Sequence, residues 1–153
     1  MDKAGQNGNS KIPPLALAYI GDAVYELAVR EYLLAQGKLK VGELHKQAVA
    51  FVRAERQSAL FAEIEAQLSE EELDVFRRAR NANSGHQPPH TSVGAYRRAT
   101  GLEALIGHLY LCRQQERLNQ IFAMLFNMAG TESQSTDEKS NCESHGRAMR
   151  APT

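Results

Sequence analysis

The sequence predicts an all-α fold of five or more helices. Three observations carry this reading. Apolar residues recur at three- and four-residue spacing in successive stretches, no stretch shows the two-residue period of a strand, and cap and stop residues fall where helices would begin and end. With 153 residues, 42% of them hydrophobic, the chain fits one domain around one core.

Residues 1–10 are rich in Gly, Asn and Gln and are expected to be disordered. Pro13 and Pro14 then open a helix, proline being well tolerated in a first turn. This helix should run from about Leu15 to Gln36, with Gly37 as its stop. Leu17, Ile20, Val24, Leu27 and Leu34 follow helical spacing and mark its expected core stripe. Asp22 and Glu26, flanked by Tyr19 and Tyr25, should project from the other side. A second helical region covers roughly 42–68, with Leu44, Ala48, Phe51, Val52, Leu60, Ile64 and Leu68 as apolar positions and a break near Arg53–Gln57. Ser69 followed by Glu72 has the form of a capping box, so a third helix should start at Glu70 and reach Ala79 or beyond.

Residues 81–93 read as a loop, because NANSGHQPPHTS carries a glycine, two prolines and several cap-forming residues. A fourth helix should span about Gly94 to Cys112, with Leu102, Leu105, Ile106 and Leu109 toward the core. Glu103 shares its other face with Tyr96, Thr100, Gly107 and Tyr110, and Gly107 would let another helix approach closely. A fifth helix, Gln115 to Met128, carries Leu118, Ile121, Phe122, Leu125 and Phe126. The folded domain is therefore expected over 11–128, with a disordered tail over 129–153, where no apolar period is left.

No apolar run approaches a membrane span, and the polar start lacks a signal-peptide core. A cytoplasmic location is the expectation. Cys112 and Cys142 form neither a disulfide framework nor a zinc pattern. His86 and His90 flank Pro88 and Pro89 and cannot share a helical face as zinc ligands would. There is no glycine-rich phosphate loop and no serine in a nucleophile elbow.

Formal net charge is zero, with 18 basic and 18 acidic residues, which excludes a generally polycationic nucleic-acid binder. The distribution is uneven. From Val75 to Leu102 there is no acid, while Arg77, Arg78, Arg80, Arg97 and Arg98 all fall there. Such arginines often do no more than solvate a helix end. With Asn81, Asn83 and Ser84 between them, they also suit phosphate and sugar-hydroxyl contacts. Arg78, Arg80, Asn81, Asn83 and Arg97 are the candidate RNA-contacting residues.

Asp22 and Glu103 each sit inside an otherwise apolar helical segment, LALAYIGDAVYE and TGLEALIG. Burying a carboxylate is costly unless a cation or donor meets it. Two such acids on two helices suggest a shared divalent cation, and oxygen ligands favour magnesium or manganese over zinc. Taken singly, Asp22 could be a solvated polar-face residue. Glu26 could pair with Arg30 one turn on, or add a third metal ligand.

These residues resemble the ribonuclease III family. Its signature helix carries Leu-Gly-Asp-Ala-Val, here Ile20-Gly21-Asp22-Ala23-Val24, and its second acid lies in Phe-Glu-Ala-Leu-Ile-Gly, here Leu102-Glu103-Ala104-Leu105-Ile106-Gly107. The closer likeness is to its short branch, mini-ribonuclease III, over about Leu15 to Asn127. Arg80-Asn81-Ala82-Asn83-Ser84-Gly85 and Tyr96-Arg97-Arg98-Ala99-Thr100 are similar to that branch too. The resemblance implies one helical endonuclease domain without a double-stranded-RNA-binding domain. It further implies a homodimer with Asp22 and Glu103 as catalytic, metal-holding residues. The implied activity is magnesium-dependent cleavage of double-stranded RNA, leaving 5′-phosphate and 3′-hydroxyl ends, with manganese as a substitute. The implied substrate is precursor 23S ribosomal RNA, trimmed near its ends, and a ribosomal protein is a conceivable accessory partner. Full-length family members carry acids where this chain has Leu15, Ala18 and Thr100. That thinner set keeps open a second reading, a catalytically silent RNA-binding or ribosome-assembly factor, and a third, a helical adaptor for a protein partner.

Overall fold

A computed structural model describes residues 12–37, 40–82, 85 and 88–140. Six α-helices follow one another among the described residues: α1 (Pro14–Ala35), α2 (Val41–Val52), α3 (Ala54–Ile64), α4 (Glu70–Asn81), α5 (Val93–Leu111) and α6 (Gln115–Ser140), with a short 3₁₀ turn over Glu65–Gln67. The start and stop signals act where the sequence places them. Pro14 takes the first helical position of α1, and Gly37 follows its end with φ of +80°. Ser69 and Glu72 form the reciprocal capping box of α4, and Ser92 caps α5. The second helical region is two helices, because Arg53 turns extended (ψ 139°) and breaks the chain direction between α2 and α3.

α5 is the central element. Leu102, Leu105, Ile106 and Leu109 are almost completely buried, but so are Ala99, Thr100, Gly101, Ala104 and Gly107, because α1, α3, α4 and α6 all pack on it. Its small residues let neighbours come close. A Cβ on Gly107 would lie 2.0 Å from the Leu17 carbonyl oxygen of α1, and one on Gly21 would lie 1.6 Å from that of Glu103. One on Gly101 would strike the Phe76 ring of α4 at 2.5 Å.

The α1–α5 contact explains a correction to the expected core stripe of α1. Leu27 and Leu34 are exposed, at 59% and 49%, and Ile20 and Val24 are only half-buried. The buried face is Leu17, Ala18, Gly21, Tyr25, Val29 and Leu33. α1 is apolar nearly all round, and periodicity favoured the larger aliphatic side chains. α5 instead takes the face whose residues are small enough for backbone contact. Tyr25, placed by the sequence with the outward acids, is fully buried. It sits in an aromatic cluster with Phe122 and Phe126.

α6 also departs from expectation, continuing to Ser140 through the stretch assigned to the tail. A single glycine is tolerated in a helix, and the run that follows contains Glu, Gln and Lys, which favour helix without any apolar stripe. Residues 1–10, Asn83, Ser84, Cys142 and the rest of the tail lie outside the described residues. The start of α6 is clamped to α4: the Arg117 guanidinium meets Glu72 at 2.6 Å and donates to the Gln67 carbonyl at 2.9 Å. Arg117 holds the Glu72 carboxyl below its ordinary value.

The crossing predicts a sharp contrast between two glycines. Gly21→Ala should force α1 off α5 and destabilise by about 3 kcal/mol or more. Gly42→Ala in α2, whose new carbon meets nothing within 4 Å, should be neutral or stabilising by ~1 kcal/mol. Urea unfolding of both variants, with similar losses of stability, would refute the crossing.

Candidate metal and phosphate site

The glycine contact places the two acids. Asp22 follows Gly21 in α1, and the Glu103 backbone carbonyl is what Gly21 touches. The two helices therefore meet at the acidic residues themselves. Asp22 is exposed and Glu103 half-buried. Burial, and then the Asp22 charge, push the Glu103 carboxyl up to about 7, against the pull of a hydrogen bond from Gln57. Asp22 is also raised, by shielding from water first and by Glu26 second. Glu26 itself pairs with Arg30 at 2.6 Å.

Beside Glu103 lies an open cleft of about 930 Å³. One wall is the α2–α3 corner, with Arg53, Arg56 and Gln57; the other is Pro88–Thr91 with Tyr96 and Thr100 from α5. Arg56 and Glu103 both act on the buried Tyr25 hydroxyl, whose pKa burial pushes far up, Arg56 lowering and Glu103 raising it. That hydroxyl donates to the Phe51 carbonyl at 3.3 Å. Thr100 keeps its hydroxyl for the Tyr96 carbonyl, at 2.9 Å.

Of the candidate RNA-contacting residues, the described Arg78, Arg80, Asn81 and Arg97 do not line this cleft. Arg78 and Arg80 lie in the last turns of α4, Arg78 paired with Asp74 at 3.0 Å. Arg80 donates to the Asn81 side chain and lies over the Phe76 ring. Arg97 is exposed, one residue from the Tyr96 that lines the cleft. Its neighbour Arg98 donates to Ser58 across the α3–α5 interface.

Sequence reasoning passed over Arg53, Arg56 and Gln57, although the helix break was visible at that point. Gln57 carried a signal. It precedes Leu60, Phe61 and Ile64 by three, four and seven residues, which puts a polar side chain on the buried stripe of α3.

Could the site hold a divalent cation? Two carboxylates on adjoining helices, at least one raised by burial beside another acid, are relieved by positive charge. Among the described residues no third His, Cys, Asp or Glu gathers with them. A small hard cation that keeps several waters needs no more than one or two carboxylates. The residues fit such an ion.

The Ribonuclease III domain matches residues 15–114, about two thirds of the sequence. The chain belongs to the ribonuclease III family. Its likeness is to the mini-ribonuclease 3 proteins. That of Clostridium tetani is 43% identical over 132 residues, covering 86% of this chain and 87% of the relative. That of Symbiobacterium thermophilum is 46% identical, covering 72% of this chain and 85% of the relative. Among solved structures, a protein from Fusobacterium nucleatum is 34% identical with a TM-score of 0.70, over 78% of this chain and 95% of that one. As a ribonuclease III family member, the chain is an endoribonuclease. No helix among its described residues is long and apolar enough to cross a membrane.

Glu103 makes stability depend on pH. It holds its proton more tightly in the folded state than in the unfolded one, so its ionisation opposes folding. Without divalent metal, the protein should lose roughly 3 kcal/mol as pH rises from about 4.5 to about 7. Glu103→Gln should abolish that component. Unfolding curves in chelator across this range, running parallel for wild type and variant, would refute it.

Proposed function

We propose that the chain is a magnesium-dependent, homodimeric endoribonuclease of double-stranded RNA, with Asp22 and Glu103 as its catalytic metal-holding pair. The observation that supports this is that Asp22 follows Gly21, whose contact across the α1–α5 crossing is the Glu103 backbone, and that Glu103 lines a cleft walled by Arg53 and Arg56. Magnesium is the metal, with manganese as substitute, and the products carry 5′-phosphate and 3′-hydroxyl ends. The substrate is precursor 23S ribosomal RNA in the cytoplasm, and a ribosomal protein is a partner to test for.

The division of labour follows from the residues. Asp22 and Glu103 would hold the cation, which when bound supplies charge neutralisation at the phosphate and an acidified water. No side-chain nucleophile is needed. Glu26 adds negative potential at Asp22, attracting the cation without being indispensable. Arg53 and Arg56 face the neighbouring phosphates from the cleft wall. Arg78, Arg80, Asn81, Asn83 and Arg97 hold the duplex backbone farther out. The Arg78–Asp74 pair is exposed and weak enough to be exchanged for a phosphate. Recognition then follows duplex shape and 2′-hydroxyls.

A second copy is supported by what α1 leaves uncovered. Ala16, Ile20, Ala23, Leu27 and Leu34 lie along one side of that helix, and Tyr19 beside them is 80% exposed. An apolar edge of this length suits a two-fold contact.

Cleavage of end-labelled duplex RNA in magnesium tests the reading. Asp22→Asn and Glu103→Gln should each lower kcat by about 100-fold or more with little change in RNA affinity. Wild-type turnover by either variant would remove that residue from the site. Replacing Arg78 and Arg80 together by alanine should weaken binding to all duplex sequences alike and flatten its salt dependence. An unchanged salt slope would make them an ordinary solvated helix end.

A further inference from the structure

We propose that Gln57 is a positioning residue, tying the Glu103 carboxylate to the end of α2 so that it meets a divalent cation in one fixed orientation. The inference rests on the reading of Asp22 and Glu103 as the metal-holding pair.

Gln57 is 1% exposed. Its Nε2 donates to the Val52 carbonyl at 3.0 Å and to Glu103 Oε1 at 3.2 Å. An amide nitrogen has two hydrogens, so both are spent on these two acceptors. The opposite amide orientation would set an oxygen against a carbonyl and a carboxylate, so the neighbours decide which way it faces. The consequence is an orphan: Gln57 Oε1 is buried with no partner among the described residues.

An unsatisfied buried oxygen opposes folding. Methionine, of similar length and without the amide, would remove that penalty at a position on the apolar stripe of α3. A glutamine kept for packing would not carry it. What the amide does achieve is directional: it pins one carboxylate oxygen of Glu103 to Val52, the last residue of α2 before the break at Arg53. Partners that hold a metal-binding carboxylate in place raise affinity for the ion without touching it.

The test compares wild type, Gln57→Met and Gln57→Asn as full chains. Asparagine keeps the amide but is one carbon too short to span Val52 and Glu103. Three quantities are read: Mn2+ affinity by calorimetry without RNA, the urea midpoint, and the Mg2+ dependence of duplex cleavage. Both variants should bind Mn2+ roughly tenfold more weakly. The Mg2+ concentration for half-maximal cleavage should rise by a similar factor, with kcat largely recovered at saturating Mg2+. The urea midpoint of Gln57→Met should be unchanged or higher. If Gln57→Met does not fold, Gln57→Asn gives the same reading. Mn2+ bound equally by wild type and variants overturns the role of Gln57 alone. A lower urea midpoint with unaltered Mn2+ affinity does the same, since it marks a structural residue. A wild-type chain that binds no Mn2+ overturns the cation reading and this inference with it.

Discussion

The backbone contact between α1 and α5 is the constraint on which the rest of this molecule depends. Gly21 and Gly107 have no side-chain atoms to hold the helices apart, so peptide groups of the two elements touch. That proximity sets which face of α1 is buried. It sends Tyr25, Val29 and Leu33 into the core beneath the crossing. It also brings Asp22 and Glu103 to the same crossing. Fold and site are thus one packing decision.

Most of the fold was legible because helical signals are local. The capping box at Ser69, the proline start of α1, the glycine after its end and the apolar stripe of α5 each lie within a turn or two of sequence. The break at Arg53 was legible for the same reason. The burial face of α1 was not, because it is decided by a neighbour eighty residues away. Hydrophobicity ranked Leu27 and Leu34 above Ala18 and Gly21; close approach reverses that ranking. The two acids could be picked out because a carboxylate in an apolar segment is conspicuous. The cleft beside Glu103 could not, because its walls come from the α2–α3 corner and from Pro88–Thr91, which only the folded chain unites.

Charge is arranged by region in a chain whose formal sum is zero. Glu72 and Arg117 neutralise each other where α4 meets α6, so that ion pair serves the fold. Arg98 is likewise turned to structure by Ser58. Arg53, Arg56 and Arg97 line or adjoin the cleft, where positive potential can act on a polyanion. Neighbouring residues of one type therefore divide between tasks: Arg97 faces solvent while Arg98 braces α3 against α5.

The glycine crossing also bears on how such a chain can diversify. Asp22 is adjacent to Gly21, and Glu103 is itself part of the contact. A substitution that shifts the spacing of the acids also disturbs the core, and instability removes it before any new chemistry can be sampled. The exposed Arg78 and Arg97, near the helix ends, carry no such double duty, and they can vary at little cost to folding. On the proposed roles of these residues, the reaction is inherited with the fold, while substrate preference is free to drift.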